Sequence, residues 1–148
     1  MIKSSKKLIN KTVYDNKAEY PWAKVKDFIL SANGKRIEKV VLVSESLIPV
    51  PYTVLIEDFE KIEDKSAVLK PDIKPEVYRK NADDLHVLSN LKKRKFENDG
   101  KKSRIFDVSF DAEIGEIVDF IIIPSPIGRK SYISSGDKEI NKFISQCF

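Results

Sequence analysis

The sequence contains one cysteine, one histidine and no long apolar run, and each of these shortages excludes a class of protein. A single cysteine, Cys147, cannot form an internal disulfide bond or a metal site made of several cysteines. No stretch reaches the roughly 18 apolar residues of a membrane-spanning helix. The lysine-containing start of the chain also lacks the apolar segment of a secretory signal. We therefore expect a cytoplasmic protein without a membrane span.

Motifs of catalysis and cofactor binding are missing as well. The sequence has no G-x-G-x-x-G, no Walker-type loop and no G-x-S-x-G. His86 has no second histidine or cysteine nearby, so we expect a solvated linker residue and not a metal ligand or an acid–base catalyst. Cys147 has no neighbouring base and is expected to pack as a small apolar side chain. We predict no catalytic residue, no metal and no cofactor, and thus no enzyme.

What the chain does have is enough apolar material for a core. Of its 148 residues, 41% are hydrophobic and 34% are charged, with 27 basic and 23 acidic residues. This balance argues against disorder, and the length suits one ordinary domain or two very small ones.

An internal repeat is the most informative pattern. Residues 25–43 match residues 105–123 without a gap, and Asp27 aligns with Asp107. Upstream, residues 8–13 match residues 91–96 after a shift of three positions. A run of about twenty positions in one register predicts two similar structural units.

Each copy has the pattern of a β-hairpin. Apolar and polar residues alternate before the turn, Gly34 and Gly115 occupy the turns, and β-branched residues follow. We predict a mostly β protein made of two small barrels in tandem. The expected core residues are Val13, Phe28, Leu30, Val40, Leu42, Phe110, Phe120 and Ile122.

The second copy is shorter than the first. After Ile133 it offers apolar residues at helical spacing up to Cys147, and Asp137 is suited to cap the start of that helix. We predict a first barrel over residues 1–70, a linker over 71–90, and a shortened second barrel with a C-terminal helix over 91–148.

These motifs resemble the PRC-barrel family, which includes the barrel of the photosynthetic reaction-centre H subunit and the C-terminal barrel of ribosome-maturation factors. The resemblance is carried by V-x-D at residues 25–27, by I-P-V-P-Y at 48–52 and by the A-V-L ending at 67–69. Two departures are Ala23 and Ser103, which stand where the family usually has glycine. The resemblance implies a strongly bent antiparallel barrel that binds other proteins and has no catalytic activity.

Two aspartates and two groups of residues are candidates for function. Asp27 and Asp107 either form a carboxylate pair or accept hydrogen bonds from nearby turn N–H groups. Tyr20 and Trp22, in the first hairpin loop, either anchor an interface or pack back on their own unit. The third feature is a basic hairpin, with seven basic residues: Lys92, Lys93, Arg94, Lys95, Lys101, Lys102 and Arg104.

The basic hairpin has three interpretations. It is a nucleic-acid contact, a solvated charged face or an electrostatic protein–protein site. Residues 105–123 carry five acidic and no basic residues, which weakens the positive field next to it. For these residues we favour the solvated charged face. The repeat, the missing chemistry and the shortened second barrel favour an adaptor that docks on a protein partner and can form a homodimer. The alternative is a ribosome- or RNA-associated assembly factor.

Overall fold

A computed structural model of the protein describes residues 1–15, 21–79, 86–124 and 128–146. The mostly β fold and the short C-terminal helix predicted from the sequence are confirmed. The strands are β1 (Ile2–Ser4), β2 (Thr12–Tyr14), β3 (Pro21–Leu30), β4 (Ile37–Ser44), β5 (Pro51–Leu55), β6 (Phe59–Ile62), β7 (Ser66–Leu69), β8 (Glu76–Val77), β9 (Lys95–Asn98), β10 (Lys101–Asp111), β11 (Ile117–Pro124) and β12 (Ser131–Ser134). The helices are α1 (Ser5–Leu8), α2 (Leu88–Leu91) and α3 (Lys138–Gln146), and a 3₁₀ turn spans Ile56–Asp58.

The strands form two sheets. The first has the order β6-β7-β2-β3-β4-β5-β8, and the second has the order β1-β10-β11-β12 with β9 also paired to β10. Only β2 and β7 run parallel among these neighbours. Neither strand order closes on itself within the described residues, so the sheets are open and the predicted barrels stay a prediction.

The repeat is visible in the strand register. The β3–β4 ladder shifts between Val25 and Asp27, and the β10–β11 ladder shifts at the equivalent Ile105 and Asp107. Both ladders shift a second time, just before the last residue pair of each hairpin. Such bulges bend a hairpin sharply, so the two copies are bent at the same places.

The strands that follow the hairpins depart by one residue from the offset of the hairpins. Val54 lies opposite Val40, and Ile133 lies opposite Phe120, so β12 is equivalent to β5 with an offset one position smaller than in the hairpins. The offset of the hairpins would instead make Tyr132 equivalent to Tyr52. Because side chains alternate between faces, burial of the apolar Val54 and Ile133 decides the register.

The segment that precedes each hairpin repeat pairs with the other copy. Strand β1 precedes the first copy yet pairs with β10 of the second, with Ser4 opposite Ser109. Val87 precedes the second copy yet bridges to Ile29 of the first. Strand pairing therefore crosses the predicted division into residues 1–70, 71–90 and 91–148. It does so again where β8 pairs with β5 and where Arg36 bridges to Glu116.

The hairpin turns also contact each other reciprocally. The Ile37 N–H donates to the Gly115 carbonyl (2.7 Å), and the Ile117 N–H donates to the Lys35 carbonyl (2.9 Å). Gly115 has a positive φ of +79°, and a Cβ atom there would lie 2.4 Å from the Ile37 oxygen. Glycine is required at this position both for its backbone conformation and for the close approach of the other copy.

One continuous core joins the two copies. All eight core residues predicted from the sequence are at most 2% exposed. The rings of Phe28 and Phe110, one from each copy, meet edge to face with 5.6 Å between centroids. Burial of these large side chains is the main favourable contribution to folding.

Helix α3 packs on the second sheet and reaches the first copy. The Asp137 carboxylate accepts the Glu139 and Ile140 N–H groups at 2.9 and 3.2 Å, which confirms the predicted cap. Phe143 stacks on Phe96 of β9, and Ile144 packs over the turn glycine of the first hairpin. Cys147 lies outside the described residues. Within those residues, no helix is long and apolar enough to cross a bilayer.

We expect Gly115→Ala to destabilise the protein far more than Gly100→Ala. Both glycines have positive φ, which costs alanine about 1–2 kcal/mol. A Cβ at position 100 meets nothing within 4 Å, whereas one at position 115 overlaps the other copy and adds about 1–3 kcal/mol. Urea unfolding midpoints measure the difference, and equal destabilisation of the two variants would contradict the proposed contact between the turns.

Candidate functional site

An aromatic groove lies at the start of β3. Trp22 and Tyr52 meet edge to face with 5.9 Å between ring centroids, and both side chains are half-buried. They line a cavity of about 720 Å³. Trp22 thus packs against its own sheet, as one of the two interpretations predicted, and it also lines the cavity. Its role as an interface anchor stays a prediction. Tyr20 lies outside the described residues.

The walls of the groove are apolar and acidic. Pro21, Leu69 and Ile73 supply apolar surface, while three carboxylates and one ammonium group also line the cavity: Asp15, Glu45, Asp72 and Lys70. Glu45 forms an ion pair with Lys24 (3.5 Å). Acidic groups outnumber basic ones among the lining residues, so the groove favours a cationic ligand.

Beside the groove, the β4–β5 loop exposes two aliphatic side chains. Leu47 is 101% exposed and Ile48 is 78% exposed. The loop is held by hydrogen bonds: the Val50 N–H donates to the Ser44 hydroxyl (2.9 Å), and the Ser46 hydroxyl donates to the Ile48 carbonyl (2.7 Å). The prolines of this stretch predict a sheet edge, but they do not predict that Leu47 and Ile48 are exposed. The signal in the sequence for that exposure is two adjacent aliphatic residues within a turn.

The basic hairpin forms in part as predicted. Its turn uses Asp99 and Gly100, both with positive φ, as tight hairpin turns require. Lys95 lies directly opposite Arg104, and Lys102 lies opposite Glu97. The strands therefore bring together Lys95, Lys101, Lys102 and Arg104, whereas Lys92, Lys93 and Arg94 lie before β9, at the end of α2.

Phe106 lies beneath two ammonium groups that sequence reasoning missed. The Lys6 Nζ lies 3.2 Å from the ring centroid and the Lys130 Nζ lies 4.0 Å from it. These lysines stand near opposite ends of the sequence, so no local pattern could link them. The contacts extend the basic surface beyond the hairpin and place an aromatic ring within it.

Lys92 is the most perturbed base of this surface. Burial lowers the pKa of its ammonium group, and the nearby Lys6 lowers it further. The Asp107 and Asp27 carboxylates oppose this shift without reversing it. Lys92 therefore lies within the field of both repeat aspartates.

Asp27 and Asp107 accept hydrogen bonds, as one of the two interpretations predicted. One donor of each is local, the Phe28 N–H for Asp27 (2.8 Å) and the Val108 N–H for Asp107 (2.7 Å). The other donors come from distant segments. Asp27 accepts the hydroxyl and, at 3.2 Å, the N–H of Ser89, at the start of α2. Asp107 accepts the hydroxyls of Ser4 and Ser5 and, at 3.0 Å, the Lys6 N–H. Each aspartate thus holds the short helix that leads into the other copy.

His86 contributes a backbone hydrogen bond to the contact between the two copies. Its carbonyl accepts the Leu30 N–H (2.8 Å), next to the bridge that Val87 forms. The side chain is half-exposed. No three histidine, cysteine, aspartate or glutamate side chains approach one another closely enough to share a metal ion within the described ranges.

Comparison with known proteins adds no assignment. No protein-family model matches the chain, and no curated protein matches it in sequence.

We expect Asp107→Asn to destabilise the protein at neutral pH by about 2 kcal/mol, the value of hydrogen bonds to a charged group. Burial raises the pKa of Asp107. The hydrogen bonds from the Ser4 and Ser5 hydroxyls and from the backbone N–H groups together lower it by more, so the pKa lies below the ordinary value of 3.8. This contribution is present above pH 3.8 and is lost as the pH falls through the folded-state pKa.

Unfolding free energies of the wild type and Asp107→Asn, measured from about pH 7 to about pH 2, test this expectation. The difference between them should shrink in the acidic part of that range. Glu113→Gln, which changes an exposed carboxylate, should show no such trend. A difference that does not depend on pH would contradict the role given to the Asp107 charge.

Proposed function

We propose that the chain is a non-enzymatic, cytoplasmic protein-interaction module of the PRC-barrel type. Its partner is a protein segment with apolar side chains flanked by basic residues. The observation that carries the proposal is the exposed Leu47–Ile48 pair beside the Trp22–Tyr52 groove. The module acts by docking and not by catalysis.

Burial of the exposed pair would supply much of the affinity. A fully buried aliphatic side chain contributes about 1.5–3 kcal/mol relative to an exposed one. The half-buried Trp22 and Tyr52 next to it are the residue types enriched in the centres of protein interfaces. The hydrogen-bonded loop presents the aliphatic pair in one conformation, which reduces the entropy cost of binding.

The charges of the groove define the partner more closely. Asp15, Glu45 and Asp72 line it with a single lysine. An acidic partner would be repelled, whereas lysine or arginine beside an apolar anchor would be attracted. The partner segment is therefore expected to be basic and apolar in composition.

Assignment to the PRC-barrel type rests on the bent repeat. Both hairpins carry bulges at equivalent positions, and a small curled sheet needs such bends. Ala23 and Ser103, which stand where the family has glycine, are both almost completely buried. Small side chains at these two positions suit the close packing that glycine would otherwise allow.

Site-specific photo-crosslinking tests the docking surface. A photoreactive phenylalanine analogue at position 47, introduced in the native cell, should trap one discrete protein carrying a basic, apolar segment. The same analogue at Lys61, an exposed position on β6, serves as the control. Trp22→Ala should abolish the crosslink from position 47.

The stability of the variants separates docking from folding. Leu47→Ser with Ile48→Ser should leave the unfolding free energy within about 0.5 kcal/mol, because both side chains are exposed. The same double change should remove partner binding. Equal crosslinking from positions 47 and 61 would contradict the proposed surface.

A second candidate function is binding of RNA or another polyanion at the basic surface. The two ammonium groups over Phe106 favour it, because phosphates need a positive field. Glu97 and the five carboxylates of residues 105–123 weaken that field. Protein docking is therefore the preferred function.

We expect Lys6→Ala with Lys130→Ala to weaken binding of single-stranded RNA and to reduce its salt dependence. For each phosphate that is no longer neutralised, the slope of log K against log salt should become shallower by about 0.7. The control is Lys7→Ala with Lys65→Ala. It also removes two exposed lysines, but neither of them lies over Phe106. Fluorescence anisotropy across a salt series measures the affinity and its salt dependence. An RNA affinity that does not change with salt concentration would eliminate this candidate.

A further inference from the structure

Two aromatic rings, named here the aromatic corner, form adjacent walls of the groove at the start of β3. Trp22 lies on β3 and Tyr52 lies on β5, the two strands that flank β4. Their ring planes are inclined by 68°, and both residues line the cavity of about 720 Å³. Sites for small ligands and single side chains commonly measure about 300–1,000 Å³, so the cavity is large enough to hold one.

The backbone holds both residues of the aromatic corner in place before a ligand binds. The Trp22 carbonyl accepts the Glu45 N–H (2.8 Å), and Tyr52 is paired with Leu42 on one side and with Val77 on the other. The edge-to-face contact between the two rings restricts the side chains further. A ligand that enters a site of this kind loses little affinity to the ordering of the protein.

The charged groups around the aromatic corner are mainly acidic. Asp15, Glu45 and Asp72 line the cavity together with Lys70. Glu45 is already engaged by Lys24 (3.5 Å), whereas Asp15 and Asp72 are exposed. Even with both lysines counted, the carboxylates of this group are in excess. They therefore supply a negative field around the rings and attract a cation.

The walls of the groove favour an ammonium group that carries methyl groups over one that carries hydrogens. A free ammonium group donates three hydrogen bonds, which it would lose against apolar walls such as Leu69, Ile73 and the two rings. Methylation removes these donors and keeps the positive charge, which the faces of tryptophan and tyrosine attract. A quaternary ammonium group therefore matches both the walls and the charge of the groove.

We propose that the aromatic corner binds a trimethylated lysine side chain of the protein segment that docks beside the Leu47–Ile48 loop. The methyl groups contact Trp22 and Tyr52, and the exposed carboxylates balance the charge. Ser46, which precedes Leu47 in the chain, lines the same cavity, so a segment docked on the loop can reach the corner with a long side chain. This inference rests on the function proposed above and names the group that the partner presents.

Tetramethylammonium is the simplest probe of the aromatic corner. Trp22 is the only tryptophan in the chain, so its indole N–H gives a single cross-peak in a proton–nitrogen correlation spectrum. Tetramethylammonium chloride should shift this cross-peak with a dissociation constant of roughly 1–10 mM, as expected for a cation held by aromatic faces. Neopentyl alcohol has nearly the same shape without the charge and should bind at least about tenfold more weakly. Sodium chloride at equal concentrations corrects for ionic strength.

Substitutions of tyrosine separate the effect of the ring from that of its bulk. Tyr52→Leu keeps apolar bulk and should weaken tetramethylammonium binding about tenfold, and Tyr52→Phe should rescue it, because the aromatic face returns. Tyr132→Leu makes the same change at an exposed tyrosine of the second sheet and should leave binding unchanged. Urea unfolding shows whether each variant is folded. The wild-type comparison of the cation with the alcohol tests the site even if Tyr52→Leu does not fold.

Blocked amino acids identify the source of the ammonium group. Trimethyllysine with acetyl and methylamide blocks should bind about tenfold more tightly than the same compound of unmodified lysine, and more tightly than choline. Tighter binding of choline would assign the corner to a free quaternary amine and overturn the lysine side chain. Equal binding of tetramethylammonium and neopentyl alcohol, or no shift of the indole cross-peak, would overturn the site itself.

The outcome for the aromatic corner can be told apart from the outcome for docking. The spectra use the isolated protein, so a failure there leaves the crosslink from position 47 as it is. Loss of the selective crosslink would contradict docking while the binding of tetramethylammonium could still be measured.

Discussion

The hydrogen bonds of Asp27 and Asp107 hold this protein together as one unit. Each carboxylate is surrounded by donors from the segment that leads into the other copy of the repeat. An aspartate as enclosed as Asp107, at 7% exposure, is tolerated only while it is hydrogen-bonded. Separating the copies would leave each charge with the N–H of the next residue but without its donors from the other segment, so the copies should fold and unfold together.

The exchange also explains why the hairpin turns and the core are continuous between the copies. Once α1 and α2 are held on opposite copies, the turns at Gly115 and Lys35 meet and exchange backbone hydrogen bonds. Phe28 and Phe110 then share one interior. These polar and apolar contacts all depend on the same relative placement of the copies, so we expect a change at one of them to affect the others.

The proposed docking groove lies where the two copies differ. The first copy continues after β5 into strands that enclose the aromatic groove and cover its own sheet edge. The second copy instead ends in α3, which leaves the edge of β12 open among the described residues. The proposed docking groove is thus a product of the unequal ends of the repeat. The equal middle part, residues 25–43 and 105–123, supplies the frame on which it is built.

The hairpins, the eight core positions and the cap of α3 could be predicted from the sequence, because alternation, turn glycines and capping are properties of neighbouring residues. The distant partners of Asp27 and Asp107, the lysines over Phe106 and the β12 register could not. They depend on contacts between segments far apart in the chain, which no local pattern specifies. A strand edge accepts many partners by backbone geometry alone, and burial across the whole fold selects one.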